Sequence, residues 1–265
     1  MPEWAEPRVS SSKESTSPMA HELAVVMPVY NEEACIRDVV NSWRTTLDQL
    51  DVDFYLLVLN DGSTDGTGSE LAVFDDDRRV EVVHKPNEGH GPTVLTGYRR
   101  AARTASWVFQ CDSDGEIGAE HFRHLWNARE GFDALFGKRY ERKQGLARMI
   151  ISVGSRVVVR ALWGKGIPDV NTPYRLIRSR VLEPIVERIP HATLAPNVII
   201  SGVIARSGLR ILNHPVPHEG RKSGTPSIAK LKLWLFALHA LWQTITIRPA
   251  VTGLKSQPDN GVRNG

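Results

Sequence analysis

The apolar positions of this chain come in short dense runs, and polar residues collect where each run stops. Residues 23–29 are apolar throughout, closing on Pro28 and Val29, the pattern of a strand buried on both faces. Residues 54–59 repeat it, and 80–84 and 107–111 are expected as further strands. The stretches between them carry helical spacing. One helix is expected to open at Asn31-Glu32-Glu33 and run to about Leu50, with Asn31 as N-cap and the acids at the positive end of the dipole. A second is expected near residues 68–74, capped by Asp65, and a third from about Thr93 to Thr104. Strand and helix therefore alternate, which predicts an α/β fold built on a doubly wound, mainly parallel sheet with flanking helices. Ligands of such sheets sit beyond the carboxyl ends of the strands. Three polar loops fall on that rim, at residues 30–33, 60–65 and 112–116.

The second half has a different rhythm. A short strand is expected at 133–137, a long helix at 146–163, a loop at 167–175, helices at 179–189 and 197–207, and a strand at 209–215. A last helix, about 228–247, begins with Lys230 and Lys232 and carries Trp234 and Trp242. Its apolar run is too short to span a bilayer; an amphipathic helix lying in the membrane interface and a packing helix are both compatible with it. The organisation expected is a disordered leader over 1–21, one domain over 22–227, this helix over 228–248 and a flexible tail over 249–265.

Composition narrows the function. With 265 residues, 41% of them hydrophobic, the chain can bury a proper core. Its 33 basic and 30 acidic side chains leave +3, too little to argue for nucleic acid. The basic residues nevertheless cluster at 139–148 and 221–232, which points to anionic groups or a membrane surface. Cys35 and Cys111 show no metal-type spacing, and the framework is not built on disulfides, in keeping with a cytoplasmic, reducing setting. No Gly-x-Gly-x-x-Gly fingerprint and no phosphate-binding Gly-Lys-Ser/Thr loop is present, which argues against dinucleotide cofactors and P-loop chemistry.

The stretch that carries chemistry is Cys111-Asp112-Ser113-Asp114-Gly115-Glu116. Residues two apart on an extended chain point the same way. Asp112, Asp114 and Glu116 can then converge, and converging carboxylates repel unless a cation sits among them. Hard divalent ions such as Mg2+ or Mn2+ favour such oxygen ligands. Asp, Ser and Gly also make ordinary solvated turns, so the stretch alone leaves both readings open.

The wider pattern resembles the family-2 glycosyltransferases of the GT-A fold. The resemblance rests on Val25-Val26-Met27-Pro28-Val29-Tyr30-Asn31-Glu32-Glu33, on Asn60-Asp61-Gly62-Ser63-Thr64-Asp65-Gly66-Thr67 and on Asp112-Ser113-Asp114, in the family's order and spacing. Gly137-Lys138-Arg139-Tyr140, the stretch from Asp169 to Leu176 and Arg221-Lys222-Ser223-Gly224 are similar to segments of the dolichol- and polyprenyl-phosphate sugar synthases. Three departures stand out. Transmembrane helices like those that often follow in the family's membrane-embedded synthases are not expected here. Pro173-Tyr174-Arg175 stands where many of those synthases carry Gly-Phe-Arg, and Pro196-Asn197 lacks an expected acid, two changes that bear on the acceptor more than on the reaction.

The resemblance implies an inverting, metal-dependent hexosyltransferase that moves a sugar from a UDP- or GDP-linked donor to a polyprenyl or dolichyl phosphate, peripheral on the cytoplasmic membrane face. Asp112 and Asp114, with Glu116 as a third, are implied to hold Mg2+ or Mn2+. Pro28, Tyr30, Glu32, Asp61, Asp112 and Ser113 are implied for the nucleotide-sugar. A lipid phosphate arrives already charged and needs cations to position it, for which Arg139, Arg148, Arg175, Arg221 and Lys222 are the candidates. Asp169 is expected either as a base for a hydroxyl acceptor or, more in keeping with the pattern, as a partner orienting Arg175. His90, between Gly89 and Gly91, is open to two readings, a contact to a phosphate or a sugar and a loop residue satisfied by the backbone; His214 and His218 receive no role. The alternatives keep the donor chemistry with a soluble or polysaccharide hydroxyl as acceptor, or make the chain a non-catalytic nucleotide-sugar-binding module.

Overall fold

The computed structural model describes residues 20–140, 169–217 and 230–251, with the backbone alone at 230–238 and 249. Most of the expected leader, the helix expected at 146–163, Arg148, Arg221, Lys222 and the tail after Val251 lie outside the described residues. The elements are β1 (His21–Val29), α1 (Ile36–Asp48), β2 (Phe54–Asp61), α2 (Thr67–Leu71), β3 (Val80–Lys85), α3 (His90–Thr104), β4 (Ala105–Gln110), α4 (Phe122–Ala128), β5 (Ala134–Tyr140), β6 (Arg175–Arg178), α5 (Ser179–Val186), α6 (Pro196–Arg206), β7 (Ile211–Pro217) and α7 (Lys230–Val251).

The strands form one sheet in the order β3-β2-β1-β4-β6-β5-β7. The first four are parallel, and β7 lies parallel to β5. Strand β6 alone runs against both its neighbours. The sheet is thus the mainly parallel, doubly wound one expected. What the apolar pattern did not reveal is β6, whose four residues hold only Leu176 and Ile177 between two arginines.

Alternation along the strands divides the core into two layers. Leu23, Val25, Met27 and Val29 of β1 face α1 and α4 with Trp43, Phe109, Phe122 and Tyr174. Those four aromatics interlock, with Phe109 centred 4.7 Å from both Phe122 and Tyr174 in edge-to-face geometry, the arrangement ring quadrupoles favour. Ala24 and Val26 face the other way, toward α3, α5, α6 and the end of α7. A Cβ added to Gly97 would overlap the Val26 side chain, so glycine lets α3 lie close on β1. The described half of α7 packs: Ile247 and Val251 join this second layer, and the Gln243 amide bonds the backbone of Ala192 and Leu194. Trp242 and Ile245 stay outward.

Candidate active site

The β1 and β2 loops are laced to each other. Asn31 was expected to cap a helix. Instead α1 starts at Ile36, and Asn31 takes a left-handed φ of 54°, a conformation asparagine tolerates. There its Oδ1 accepts the Thr64 N–H at 2.8 Å, and its own N–H donates to Ser63 Oγ at 3.0 Å. The Glu32 N–H donates to Thr67 Oγ1 at 2.8 Å, and the Gly66 N–H to Glu33 Oε2 at 2.9 Å. Asp65 does serve the start of α2, accepting the Thr67 N–H at 3.0 Å. Much of the polar sequence of these loops is therefore structural.

Of the donor-binding candidates, Tyr30 is 40% exposed at the rim. Glu32 and Ser113 are buried, linked through Cys35, whose thiol lies 3.5 Å from Glu32 Oε2 and 3.6 Å from the Ser113 carbonyl. Two more of these candidates are also buried. Pro28 lies inside β1, paired with Leu59 of β2. Asp61 is buried as well, and its carboxylate is taken up by the Lys85 ammonium, the Glu88 N–H at 2.9 Å and the Gly89 N–H at 2.9 Å. Burial raises the Asp61 carboxyl, but Lys85 and the Glu88 N–H outweigh it and hold it below the usual carboxylate range. Asp61 braces β2 against the loop that leads into α3.

Beyond Gln110 the chain does not stay extended. Gly115 adopts φ 67°, and the Glu116 N–H turns back to Asp114 Oδ1 at 3.0 Å. Asp112, Asp114 and Glu116 nevertheless line one cleft, with Cys111, Ile117, Arg139, Pro173 and Tyr174. Among the described residues no three His, Cys, Asp or Glu side chains are grouped closely enough to hold a metal ion by themselves. The alternate-position geometry expected for three converging carboxylates is replaced by a turn. Asp112 carries the distinctive feature. Its Oδ1 is buried with no hydrogen-bond partner among the described residues, a costly state for a carboxylate oxygen. Burial pushes the Asp112 carboxyl up; His90 and Arg139 pull against that, while Asp114 and Glu116 add to it.

An orphan acceptor beside further carboxylates fits a divalent cation. Mg2+-type sites are commonly completed by one or two carboxylates together with substrate phosphates, so a closed cage of protein ligands is not required. Asp112 and Asp114 are the residues placed to supply the protein side, with Glu116 behind them.

Opposite this turn stands Arg139 at the end of β5. Asp169 grips it with two parallel bonds, Nε to Oδ2 at 2.7 Å and Nη2 to Oδ1 at 2.9 Å, the strong bidentate form. Burial lowers the Arg139 pKa, but Asp169 and, beyond it, Asp112 and Glu116 raise it further, so the guanidinium stays charged. Asp169 was expected to orient Arg175. It orients Arg139 instead, and sequence spacing gave no sign of that pairing.

Arg175 is the largest correction. It is fully buried in β6, with its guanidinium on the carbonyls of Thr172, Val170 and Asn197 and on Ser201 Oγ. It holds the 170–172 loop through the Val170 and Thr172 carbonyls. Beside it Tyr98 and Asn197 share Gln110 Oε1, each at 2.8 Å. Asn197, standing where an acid was expected, thus belongs to a neutral buried network.

An open sheet read out at this rim, with a carboxylate turn after β4 faced by a fixed arginine, is the frame of a GT-A glycosyltransferase. Residues 24–186 match glycosyl transferase family 2, and the chain belongs to that family. It is 34% identical over 217 residues to a polyprenol monophosphomannose synthase of Mycolicibacterium smegmatis, covering 77% of this chain and 80% of that one. An undecaprenyl-phosphate 4-deoxy-4-formamido-L-arabinose transferase of Proteus mirabilis is 24% identical over 239 residues, 89% of this chain and 71% of its own. Among solved structures, glucosyl-3-phosphoglycerate synthase from Mycobacterium tuberculosis, in complex with Mn2+, UDP and glucosyl-3-phosphoglycerate, matches with a TM-score of 0.64 at 18% identity over 98% of this chain and 89% of that one. The same synthase with Mg2+ and UDP gives a TM-score of 0.63 at 19% identity over 91% and 82%. At that identity the solved structures establish the fold.

Proposed function

We propose that this glycosyltransferase moves a sugar, with inversion at its anomeric carbon, from a UDP- or GDP-linked donor to the phosphate of a polyprenyl- or dolichyl-type lipid. The observation that carries the donor half is the orphan Oδ1 of Asp112 in a cleft faced by Arg139. Bound Mg2+ or Mn2+ at Asp112 and Asp114 would act as a Lewis acid and template for the departing diphosphate. Around it the chain supplies fixed charge. Arg139, held by Asp169, aims a guanidinium at the cleft without reorganising, which is how preorganised groups stabilise developing charge. Tyr30 stands at the approach of the nucleoside, with Ser113 and Glu32 buried.

The acceptor half rests on two supports. The named relatives act on polyprenol and undecaprenyl phosphate. Within the site, Asp169 is occupied by Arg139, which leaves it poorly placed as a general base for a hydroxyl. A lipid phosphate, with its second pKa near 6, needs no base. Its oxygen bonds to the anomeric carbon as the bond to the donor diphosphate breaks and the electron pair leaves with the diphosphate. Arg139 and, from outside the described residues, Arg148, Arg221 and Lys222 are assigned to the acceptor phosphate. No helix among the described residues is long and apolar enough to cross a membrane. Peripheral contact at the cytoplasmic face, with the outward Trp242 and Ile245 of α7 against lipid, completes the reading.

The test is a panel of UDP- and GDP-sugars with Mn2+ and a short-chain polyprenyl phosphate, read by mass spectrometry. A glycosyl polyprenyl phosphate is expected. Transfer to hydroxyl acceptors alone would overturn the acceptor assignment, and nucleotide binding with neither transfer nor donor hydrolysis would leave a binding module.

A further inference from the structure

The start of α3 brings to the rim His90, the glycine-flanked histidine whose role the sequence left open. Helix α3 follows β3 and ends where β4 begins, so it runs opposite to the parallel strands with its N-terminus at the rim. Its height against the sheet is fixed by one bond, Tyr98 Oη to Gln110 Oε1 at 2.8 Å. From that level Asp112 lies two residues further on, past the end of β4 and toward the rim. His90 lies eight residues back along the helix, about 12 Å in the same direction. Both therefore project past the Tyr98–Gln110 bond at the same end of the sheet.

The helix start is held rigidly. Gly89 turns the chain with φ 90°, and its N–H is bonded to Asp61 Oδ2 at 2.9 Å. A Cβ on Gly91 would overlap the carbonyls of Thr193 and Leu194, so the first turn of α3 is pressed against that loop. His90, between two fixed glycines, is exposed while Gly91 and Pro92 are buried. His90 is also one of the groups whose charge bears on Asp112. The orphan oxygen of Asp112 independently marks this same space as built for a ligand.

We propose that His90, carried on the N-terminal turn of α3, is a catalytic residue that donates an imidazole N–H to the diphosphate of the sugar donor. A neutral imidazole already has an N–H to give, so the contact does not depend on its protonation. The positive end of a fifteen-residue helix reinforces it. The brace made by Asp61 and Lys85 gains a purpose: it holds the loop whose end places His90. The proposal rests on the donor half of the function given above, and its test separates the two.

Binding of UDP, GDP, uridine and guanosine is measured by titration calorimetry with Mn2+ for wild type, His90→Ala and His90→Gln. For the preferred nucleotide, His90→Ala is expected to weaken diphosphate binding roughly tenfold to a hundredfold, as for loss of a hydrogen bond to a charged group. Nucleoside binding should stay unchanged, and His90→Gln, which keeps an N–H donor, should recover most of the loss. Equal weakening of nucleoside and nucleotide, or none of either, overturns the assignment while the donor chemistry stands. Wild-type protein that binds none of the four overturns both. Circular dichroism of the two variants, matching wild type, confirms that the comparison is between folded proteins.

Discussion

The two halves of the molecule hold their site residues by opposite means. In the β1–β4 half, loops at neighbouring strand ends exchange short side chain–backbone bonds, Asn31 with Ser63 and Thr64, Glu33 with Gly66. Each bond is modest, on the order of 1 kcal/mol, and the whole rim is set by their number. In the β5–β7 half one buried cation does the positioning. Arg175 gathers three carbonyls and a hydroxyl beneath the 170–172 loop, and that loop sits beside Asp169, which aims Arg139. The β1–β4 rim is thus laced by many bonds, the β5–β7 rim hung from a single point. That division suits an enzyme whose donor chemistry is shared across a family while its acceptor varies.

The largest effect expected lies between the halves. Asp114→Ala should leave the circular dichroism spectrum intact and lower turnover by at least about a hundredfold to a thousandfold, the scale set by removing a preorganised charge-stabilising group. Retained turnover would reduce the turn after β4 to an ordinary loop, and the cation with it.

The contrast itself is tested by stability. Arg175→Met leaves the carbonyls of Val170, Thr172 and Asn197 without their donor in a fully buried place. A loss of about 3 kcal/mol is expected by urea denaturation, at roughly 1–3 kcal/mol per stranded group with partial relaxation. Asn31→Ala should cost about 1 kcal/mol, with more of its effect appearing in donor affinity. Equal losses for the two variants would mean that the halves are not held differently. Asp169→Asn belongs between them. It keeps one acceptor for Arg139 but gives up the charge-assisted pair, and roughly tenfold lower kcat/KM for the lipid acceptor is expected.

This asymmetry also governs what the sequence could show. The strands of the first half are dense apolar runs, and their polar ends fall on one rim by topology alone, so Asp112, Asp114 and Tyr30 could be placed before any coordinates. The burial of Asp61 and Pro28 was not legible, because exposure is not written in a motif: both sit at the expected address on the rim strands. Strand β6 escaped because two apolar residues between arginines give no period to read. The Arg139–Asp169 pair joins residues thirty positions apart, and nothing local to either announces the other. For His90 a signal did exist. A histidine between two glycines at the start of a helix that crosses back over the sheet must stand at the rim, and the fold was already predicted.

The smallest effect expected tests whether the brace under α3 is ionic. Burial raises the Asp61 carboxyl, but Lys85 and the Glu88 N–H bring it net below its ordinary value. For Lys85 burial lowers the ammonium, and Asp61 and Glu88 raise it net above. A lowered carboxyl contributes stability that is complete above its unfolded value, about 3.9, and is lost as pH falls through the folded one. A raised ammonium contributes fully below about 10.4 and loses it as pH rises through its folded value. The pair therefore stabilises across a window from roughly pH 4 to pH 10. Asp61→Asn should be less stable than wild type near neutral pH by about 1 kcal/mol, and that gap should narrow progressively below about pH 4. Urea titrations of both proteins across that range measure it directly. A gap of constant size would show that the charge on Asp61 adds nothing to the brace beneath His90.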